Sequence, residues 1–384
     1  MANLNRFDLA SPARSRGKSG LLILSEAFSG SGGIQRYGRL LLKACSEISA
    51  EGNARWEAVI LNDSASDVDP RYTDSIALRV FDGSRLRFSS AAAHRVFRMQ
   101  PDVVLFGLLN FGPMSLILRL LSPRSEHWFV AHGIEAWTRL RGGHRAAVRR
   151  AERVLSVSDF TRRELISHNQ LDPDRLVLLP CALDPVWAQD AGQVGSENRA
   201  TPDDATLLTV ARMIRSERYK GVEEVLKALP SVRERFPEVR YLVVGDGDDR
   251  ARLQELARQL GLSGTVEFLG RIGATELARV YASASVFVMP SSREGFGIVF
   301  LEAAFFGKPS IASIAGGSPE VVIAEKTGLL IDPGDIESLS AAIIELLSSK
   351  DRREQLGRQA RERVNSVYCF ARFKCLLKEY LGSD

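Results

Sequence analysis

Residues 286–303 read VFVMPSSREGFGIVFLEA, and the fold prediction starts from them. The first four residues are apolar and typical of a buried strand, the turn that follows contains glycine, and an apolar helix is expected to begin near Gly297. A strand that leads through a glycine turn into a helix is a repeating unit of parallel sheets. The free amides at the start of such a helix favour an anion. The segment therefore predicts an anion site at the end of a parallel strand.

Two glutamates frame this turn. Glu294 precedes the expected helix, and Glu302 lies about one turn inside it. A carboxylate can bind two vicinal hydroxyls with its two oxygens, which suits a sugar for Glu294 and a ribose for Glu302. Their spacing alone means little, but at this turn it indicates a ligand with both hydroxyls and negative charge.

Outward from this segment, short apolar runs alternate with helical patterns along nearly the whole chain. The strands expected for a first sheet are residues 20–25, 56–61, 103–108, 127–130, 154–157 and 177–179. Those expected for a second sheet are residues 206–210, 239–244, 266–268, 286–289, 310–312 and 328–331. The predicted fold class is α/β, with two Rossmann-like, doubly wound parallel-sheet domains facing a cleft. Ligands of such sheets bind beyond the carboxyl ends of the strands.

The length of 384 residues also favours two domains. With 45% hydrophobic and 26% charged residues, the composition is that of a globular protein and excludes a collagen-like or disulfide-stapled chain. The predicted division is a disordered arm at 1–19, a first domain at 20–187, a polar linker at 188–204, a second domain at 205–365 and a terminal helix at 366–384 that is expected to dock.

Charge and cysteine content bound the partners and the compartment. A net charge of +4 is too small for a dedicated nucleic-acid binder, so no nucleic-acid partner is predicted. The four cysteines show no metal-ligand spacing, which favours free thiols in a reducing compartment and a cytoplasmic location. They are Cys45, Cys181, Cys369 and Cys375. Residues 103–121 are interrupted by polar residues and proline, so no membrane span is predicted.

A basic segment leaves membrane contact open. Residues 1–190 hold 25 basic and 20 acidic side chains, and six arginines crowd residues 139–153. Such a patch can rest on anionic lipid at the inner face of a membrane, which would suit a lipid-linked substrate. The alternative is a solvated helix face, because no strongly apolar face accompanies these arginines.

The first half offers two candidate sites. Gly32 and Gly33 follow the opening strand and precede an amphipathic helix at Ile34–Ser46, an arrangement that favours a phosphate or polar hydroxyls. The spacing is not a dinucleotide fingerprint, and a flexible turn is the alternative. His132 ends another strand and is expected to face the cleft, although a purely structural histidine is the alternative.

The second half adds two cations. Arg212 ends a strand, and Lys220 lies in the loop before the next helix. Cations at this position suit a diphosphate leaving group, whose charge grows as it departs, and a solvated basic loop is the alternative. Asp248 and Asp249 are interpreted as helix-capping residues rather than metal ligands, so no obligatory metal is predicted.

Taken together, these motifs resemble the retaining glycosyltransferases of the group 1 family, which have the GT-B fold. The resemblance is strongest across residues 205–335 and weaker in the first half. The motifs that carry it are Gly32-Gly33-Ile34, Ala131-His132-Gly133, Ser156-Val157-Ser158, Arg212, Lys220-Gly221, Val243-Val244-Gly245-Asp246-Gly247, Phe268-Leu269-Gly270-Arg271, Glu294 with Glu302, and Gly316-Gly317-Ser318-Pro319-Glu320.

The resemblance implies transfer of a sugar from a nucleotide-diphosphate donor, GDP-mannose or a UDP-hexose, to a saccharide or lipid-linked saccharide, with retention and without a cofactor. Polysaccharide or glycoconjugate synthesis would be the setting, and the terminal helix would dock on the first domain. The implied catalytic residues are His132, Arg212, Lys220 and Glu294. The implied donor-binding residues are Gly32, Gly33, Gly245, Arg271, Phe296, Gly297, Ile298 and Glu302.

Retention by double displacement would need a nucleophilic carboxylate in the first domain, and Glu135, the nearest candidate after His132, has no identifiable partner. A front-face path is therefore favoured, in which the departing diphosphate oxygen takes the acceptor proton. The alternative functions are a nucleotide-sugar epimerase, a phosphorylase-like enzyme and a non-catalytic module that binds sugar nucleotides.

Overall fold

The computed structural model of the protein describes residues 18–30, 32–52, 54–197 and 205–382. Most of the arm predicted at residues 1–19 lies outside the described residues, as do residues 198–204 of the predicted linker. Lys18 and Ser19, which were assigned to that arm, are instead the first residues of a strand.

Seven parallel strands form the first sheet. They are β1 (Lys18–Leu24), β2 (Ala54–Ile60), β3 (Ala77–Val80), β4 (Val103–Phe106), β5 (Glu126–Ala131), β6 (Arg153–Ser156) and β7 (Leu176–Leu178). Their spatial order is β3-β2-β1-β4-β5-β6-β7. Leu21, Leu22 and Ile23 of β1 are fully buried, because helices cover both faces of the sheet and make a continuous apolar run favourable.

The second sheet has six parallel strands. They are β8 (Thr206–Val210), β9 (Arg240–Val244), β10 (Val266–Gly270), β11 (Val286–Met289), β12 (Ser310–Ser313) and β13 (Gly328–Ile331). Their order is β10-β9-β8-β11-β12-β13. The strand order reverses between β1 and β4 and between β8 and β11, and ligands of such sheets bind at this point. The prediction of two doubly wound parallel sheets is confirmed.

Helices flank both sheets. Those of the first lobe are α1 (Gly33–Ala50), α2 (Arg85–Met99), α3 (Gly112–Leu121), α4 (Gly142–Arg150) and α5 (Asp159–Asn169). The others are α6 (Pro185–Glu197), α7 (Val222–Arg235), α8 (Arg250–Gln259), α9 (Ala274–Ser283), α10 (Ile298–Phe305), α11 (Ser318–Val321), α12 (Ile336–Ser348), α13 (Lys350–Val367) and α14 (Phe370–Leu381). Within the described ranges, no helix combines the length and the apolar character that crossing a bilayer requires.

Two further features differ from the sequence prediction. Strand β3 is not predicted, because it is a short strand at the sheet edge in which Ala77 and Arg79 are exposed and Leu78 and Val80 are only half-buried. The linker predicted from residue 188 is a helix up to Glu197, namely α6. Its small and polar residues suggest a loop, but the Trp187 ring packs against the rings of Phe305 at 5.8 Å and Tyr281 at 6.4 Å and holds α6 on the second lobe.

The chain crosses between the lobes twice, and the two crossings are paired. The amide of Leu183 donates to the carbonyl of Tyr368 at 2.9 Å. After the second crossing, α14 packs on α1 of the first lobe, where the rings of Phe373 and Tyr37 meet edge to face at 5.6 Å. Lys374 of α14 also lies 2.7 Å from the Glu47 carboxylate of α1.

His127 of β5 lies in surroundings that disfavour its charged form. The residue is fully buried, with its Nδ1 3.1 Å from Ser115 Oγ of α3. Burial lowers the pKa of His127 to about 4, and nearby Arg119 adds to the effect. In the unfolded chain this histidine takes up a proton near pH 6.5, whereas in the folded chain it does so only near pH 4. The contribution of His127 to the stability is therefore complete above pH 6.5 and is lost as the pH falls towards 4.

We expect His127 to lower the free energy of unfolding by about 2 kcal/mol between pH 7 and pH 5, through the difference between its folded and unfolded pKa values. Replacement His127→Phe keeps a ring in the cavity and should remove this part of the pH dependence. Urea unfolding at both pH values measures it. An equal acid-induced loss in the wild type and the variant would contradict the assignment.

Candidate active site

The loops that follow β5 and β11 meet where the two sheets face each other. Gly133 follows β5 and Gly295 follows β11. A Cβ built on Gly295 would lie 2.1 Å from the His132 carbonyl oxygen, and one built on Gly133 would lie 3.0 Å from Gly295 Cα. The two lobes are therefore in direct backbone contact at this point.

The N-termini of two helices also approach each other here. Helix α1 begins at Gly33 and α10 at Ile298, and a Cβ built on Gly33 would lie 3.9 Å from Ile298 Cδ1. The residues before them, Gly32 and Gly297, give no side-chain cap among the described residues, and neither first turn contains an acidic residue. Two uncapped helix N-termini with their positive dipole ends converging favour a diphosphate.

Lys220 and Glu294 form the central ion pair of the second lobe. Lys220 Nζ lies 2.7 Å from Glu294 Oε2, and both side chains are largely buried. Burial opposes the charge of Lys220, but the Glu294 carboxylate outweighs it, so the pKa of Lys220 is raised. The Ser292 amide donates to the Tyr219 carbonyl at 2.9 Å, which ties the Lys220 turn to the Glu294 loop. The structure thus brings these two predicted residues together.

Glu302 is buried in α10 and is held from both lobes. Tyr281 of α9 donates its hydroxyl to Glu302 Oε2 at 2.9 Å, and Arg36 of α1 forms an ion pair with Glu302 Oε1. Sequence reasoning named neither Arg36 nor Tyr281. The only available signal for Arg36 was its position in the first turn of the helix that follows Gly33. The carboxylate expected to bind ribose is therefore fixed by an ion pair between the lobes.

His132 is positioned by backbone contacts. Its Nε2 donates to the Gly107 carbonyl at 2.8 Å, and its own amide donates to Glu135 Oε1 at 2.6 Å. Burial lowers the pKa of His132, although Glu135 and the Gly107 hydrogen bond partly offset it. The Tyr37 ring meets the imidazole edge to face at 5.1 Å. A neutral ring that donates through Nε2 leaves Nδ1 as a hydrogen-bond acceptor for a ligand.

The remaining predicted residues have different surroundings. Arg212 is 63% exposed and pairs with Glu217, so the structure does not place it on the Lys220–Glu294 pair. Arg271 is exposed just after β10. The Phe296 side chain is buried against the Tyr368 ring, which leaves its amide as the group available to a ligand. Gly245 follows β9 and donates its amide to the carbonyl of Gly270, the last residue of the neighbouring strand β10, at 2.8 Å, so this amide joins the ends of the two strands.

Asp248 and Asp249 differ from the helix-capping interpretation. Asp249 precedes α8, but its side chain makes no capping hydrogen bond and instead pairs with Arg218 and Arg252. Asp248 accepts the Arg215 amide at 2.8 Å. Both carboxylates therefore organise the loop that carries Lys220. Across the described part of the chain, no group of three or more His, Cys, Asp and Glu side chains is arranged to hold a metal ion.

Glu320 joins the lobes on the far side of the Gly295 contact. Its two carboxylate oxygens accept the amides of Asp159 and Phe160, both at 2.8 Å. These amides belong to the N-terminus of α5 in the first lobe, whereas Glu320 lies on α11 of the second. Glu320 ends the motif Gly316-Gly317-Ser318-Pro319-Glu320, and the sequence alone predicts no role for it. The Glu320 carboxylate therefore links the two lobes and complements the dipole of α5. We call this contact between Glu320 and the amides of Asp159 and Phe160 the clasp.

The variant Glu320→Ala is expected to lower kcat/KM about tenfold, because it removes two charged hydrogen bonds that exist only when the lobes are together. Steady-state kinetics and thermal unfolding of wild type and variant measure the effect. Glu337→Ala is the matched control, since Glu337 lies in the first turn of α12 and is exposed. An equal loss of kcat/KM in both variants would show that the contact between Glu320 and α5 has no specific role in catalysis.

A cavity of about 450 Å³ lies beside this clasp, between the lobes. It has aromatic and cationic walls, and its volume suits a sugar-sized ligand. The lining residues are Trp137, Phe160 and Arg163 of the first lobe and Ser292, Arg293, Ile314, Ala315, Gly316, Pro319 and Glu320 of the second. The cavity adjoins Glu294 in sequence and space, so it extends the candidate site.

Two family profiles cover most of the chain. The profile of Glycosyl transferases group 1 matches residues 196–363, and that of Glycosyltransferase Family 4 matches residues 58–187. The GDP-mannose-dependent alpha-(1-6)-phosphatidylinositol monomannoside mannosyltransferase of Mycolicibacterium smegmatis is 31% identical over 280 residues, which are 67% of this chain and 70% of the relative. The chain belongs to the group 1 glycosyltransferase family.

Other matches have different extents. The mannosyltransferase of the same description from Mycobacterium tuberculosis is 36% identical over 183 residues, 46% of this chain. The chain spans about half the length of that relative, 48%. Among solved structures, Anabaena HepE in complex with UDP and glucose matches with a TM-score of 0.76 at 17% identity, covering 95% of this chain and 100% of HepE. This likeness shows that the fold is GT-B, as predicted.

Proposed function

We propose that the protein is a retaining hexosyltransferase that moves a sugar from a nucleotide-diphosphate donor to a saccharide or lipid-linked saccharide. The observation that carries the proposal is the meeting of the α1 and α10 N-termini beside the Lys220–Glu294 ion pair, whose atoms are 2.7 Å apart. Positive dipole ends and an ammonium stabilise a departing diphosphate, and the glutamate binds the hydroxyls of the sugar it leaves.

The proposed reaction keeps the configuration at the anomeric carbon. The bond from that carbon to the diphosphate oxygen breaks, the acceptor oxygen bonds to the same face, and the departing oxygen takes the acceptor proton. The binding of Glu135 to the His132 amide supports this front-face path, because a carboxylate held in this way is a poor nucleophile. Lys220 stabilises the growing charge, and His132 positions the sugar or the acceptor.

Arg212 and Arg271 enter the proposal as mobile cations. Both side chains are exposed at the carboxyl ends of second-lobe strands, where a nucleotide would lie, and Arg212 would exchange Glu217 for phosphate when donor binds. Glu302, oriented by Tyr281, would exchange its ion pair with Arg36 for the ribose hydroxyls when donor binds. In this proposal the chain's own cations and helix dipoles neutralise the diphosphate, so activity should persist in EDTA.

The relatives supply the choice of substrates. Both mycobacterial mannosyltransferases use GDP-mannose and act on a phosphatidylinositol monomannoside, so GDP-mannose is the first donor to test and a lipid-linked sugar the first acceptor. A UDP-hexose is the second donor. Synthesis of a glycoconjugate or polysaccharide at the cytoplasmic side of a membrane is the proposed setting. The free thiols of Cys45, Cys181, Cys369 and Cys375 are consistent with a reducing compartment.

The experiment measures nucleotide release from GDP-mannose, UDP-glucose and UDP-galactose, first without acceptor and then with a lipid-linked mannoside. Slow donor hydrolysis that acceptor accelerates, with an α-linked product from an α-linked donor by NMR, supports the proposal. An inverted product would overturn retention. Nucleotide binding without turnover would favour a non-catalytic module, a changed sugar in the recovered donor would favour an epimerase, and phosphate-dependent cleavage of the glycoside would favour a phosphorylase.

A further inference from the structure

The largest exposed hydrophobic side chains lie together on the first lobe. Among the described residues, the four most exposed are Leu86 (80%) and Phe97 (61%) of α2, and Leu120 (80%) and Ile117 (62%) of α3. Leu86 and Phe97 are three helical turns apart and therefore share one face of α2. Ile117 and Leu120 are one turn apart on the outer face of α3. Each helix thus presents two large apolar side chains to solvent, on the face opposite the one that it buries.

The same layer of helices is strongly cationic. The sequences of α2, α3 and α4 contain eight arginines and no aspartate or glutamate. Arg95 and Arg119 pair with Glu57 and Glu152 of neighbouring segments. Five others are exposed and form no ion pair within the described ranges. They are Arg85, Arg87, Arg98, Arg149 and Arg150.

Hydrogen bonds place the C-terminal ends of the three helices side by side. Gln100, which ends α2, donates its side-chain amide to the carbonyls of Phe97 at 2.9 Å and Leu121 at 3.0 Å. Arg119 of α3 donates to the Arg150 carbonyl at the end of α4 at 3.2 Å. The apolar residues Phe97 and Leu120 therefore lie in the same surface region as the arginines at the ends of α2 and α4.

We propose that this face of α2, α3 and α4 binds an anionic lipid bilayer. The apolar side chains would enter the boundary between headgroups and acyl chains, and the arginines would lie at the lipid phosphates. Charge complementarity selects this partner, since the charged side chains of α2, α3 and α4 are all arginines and the surface of an anionic membrane is negative. The exposed apolar side chains favour a membrane over nucleic acid, because they can be buried among lipids, whereas nucleic acid would contact only the arginines.

The fold places exposed apolar residues beside the arginine-rich segment, which has none of its own in sequence. Residues 139–153 have no apolar face of their own, and the apolar residues come from two helices that precede them in the chain. The proposal does not depend on the proposed transferase activity, because vesicle binding is measured without donor or acceptor.

The test is sedimentation of the full chain with vesicles of phosphatidylcholine alone and of phosphatidylcholine with phosphatidylglycerol in equal parts. Binding to the anionic vesicles that weakens with salt is expected. The variant Arg98→Glu/Arg149→Glu/Arg150→Glu should bind at least about tenfold more weakly, because each arginine contributes to the electrostatic attraction. The variant Phe97→Ser/Leu120→Ser should bind about tenfold more weakly, through loss of apolar burial.

The matched control is Arg279→Glu/Arg358→Glu, two exposed arginines of the second lobe, which should bind like the wild type. Thermal unfolding of every variant excludes misfolding as the cause. No sedimentation with anionic vesicles, equal binding to both vesicle types, or equal binding by wild type and both first-lobe variants would each overturn the proposal. A loss as large in the control as in the arginine variant would do so as well.

Discussion

Lys220→Ala is expected to lower both kcat and kcat/KM by about a hundred- to a thousandfold, the largest catalytic effect predicted for a single residue of this chain. The ammonium lies 2.7 Å from Glu294 and close to the N-terminus of α10, so it acts where charge develops on the departing diphosphate. Its removal also leaves the Glu294 carboxylate without its cation in a largely buried position, which impairs the orientation of the sugar. Initial rates over a range of donor concentrations separate the two constants.

The control for Lys220 is Arg215→Ala. Arg215 is in the same turn, but its side chain is 73% exposed and interacts only weakly with Asp248, 3.9 Å away. That variant should retain nearly full activity. If Lys220→Ala raised KM and left kcat unchanged, Lys220 would hold the donor without stabilising the transition state, and the charge-stabilisation mechanism would fail at its central residue.

Gly295→Ala is expected to reduce kcat/KM by about a hundredfold while each lobe stays folded. The added Cβ would lie 2.1 Å from the His132 carbonyl oxygen, so the lobes would have to separate by about 1 Å at the point where they now touch. Reactions between groups supplied by two bodies are sensitive to displacements of this size. A single added methyl group would therefore increase the distance between His132 of the first lobe and Glu294 of the second.

The matched control is Gly273→Ala, because a Cβ there meets no atom within 4 Å. Its kinetics should remain close to those of the wild type. Small-angle scattering with saturating donor should show a more open shape for Gly295→Ala than for the wild type. Full activity of Gly295→Ala would mean that the contact between Gly295 and His132 is not part of the reactive arrangement.

The sequence predicts the strands well where they are buried on both faces. The apolar run of β1, with Leu21 to Ile23 fully covered, has the length and the continuous apolar character of a strand in the interior of a parallel sheet. The sequence does not predict β3, a four-residue edge strand whose side chains are exposed or half-buried. It also predicts a loop where α6 is found, because α6 is held by the packing of Trp187 on aromatic residues far away in the chain. Tertiary contacts decide both elements, and no local pattern reports them.

The candidate site divides in the same way. Lys220, Glu294, Gly33 and Ile298 lie at the ends of predicted strands and helices, so topology alone places each of them at the carboxyl edge of its own sheet. The partners that join the lobes could not be predicted, because Arg36 and Glu302 are 266 positions apart in the chain and form an ion pair only after both lobes have folded. The same holds for Glu320 and α5. Motif spacing in the sequence thus identifies the candidate site residues, whereas the partners that orient them are known only from the packing of the two lobes.

The pairing of Leu183 with Tyr368, followed by α14 on α1, makes the second lobe an insertion within the first. The first lobe is thus a discontinuous domain assembled from residues 18–183 and 368–382. Phe373, Leu377 and Leu381 of α14 are almost completely buried, and a fragment that stopped at residue 183 would leave their apolar partners on α1 bare. Dissection of the protein must therefore cut out the inserted lobe and rejoin the flanking segments, since division into two consecutive halves would leave the first incomplete.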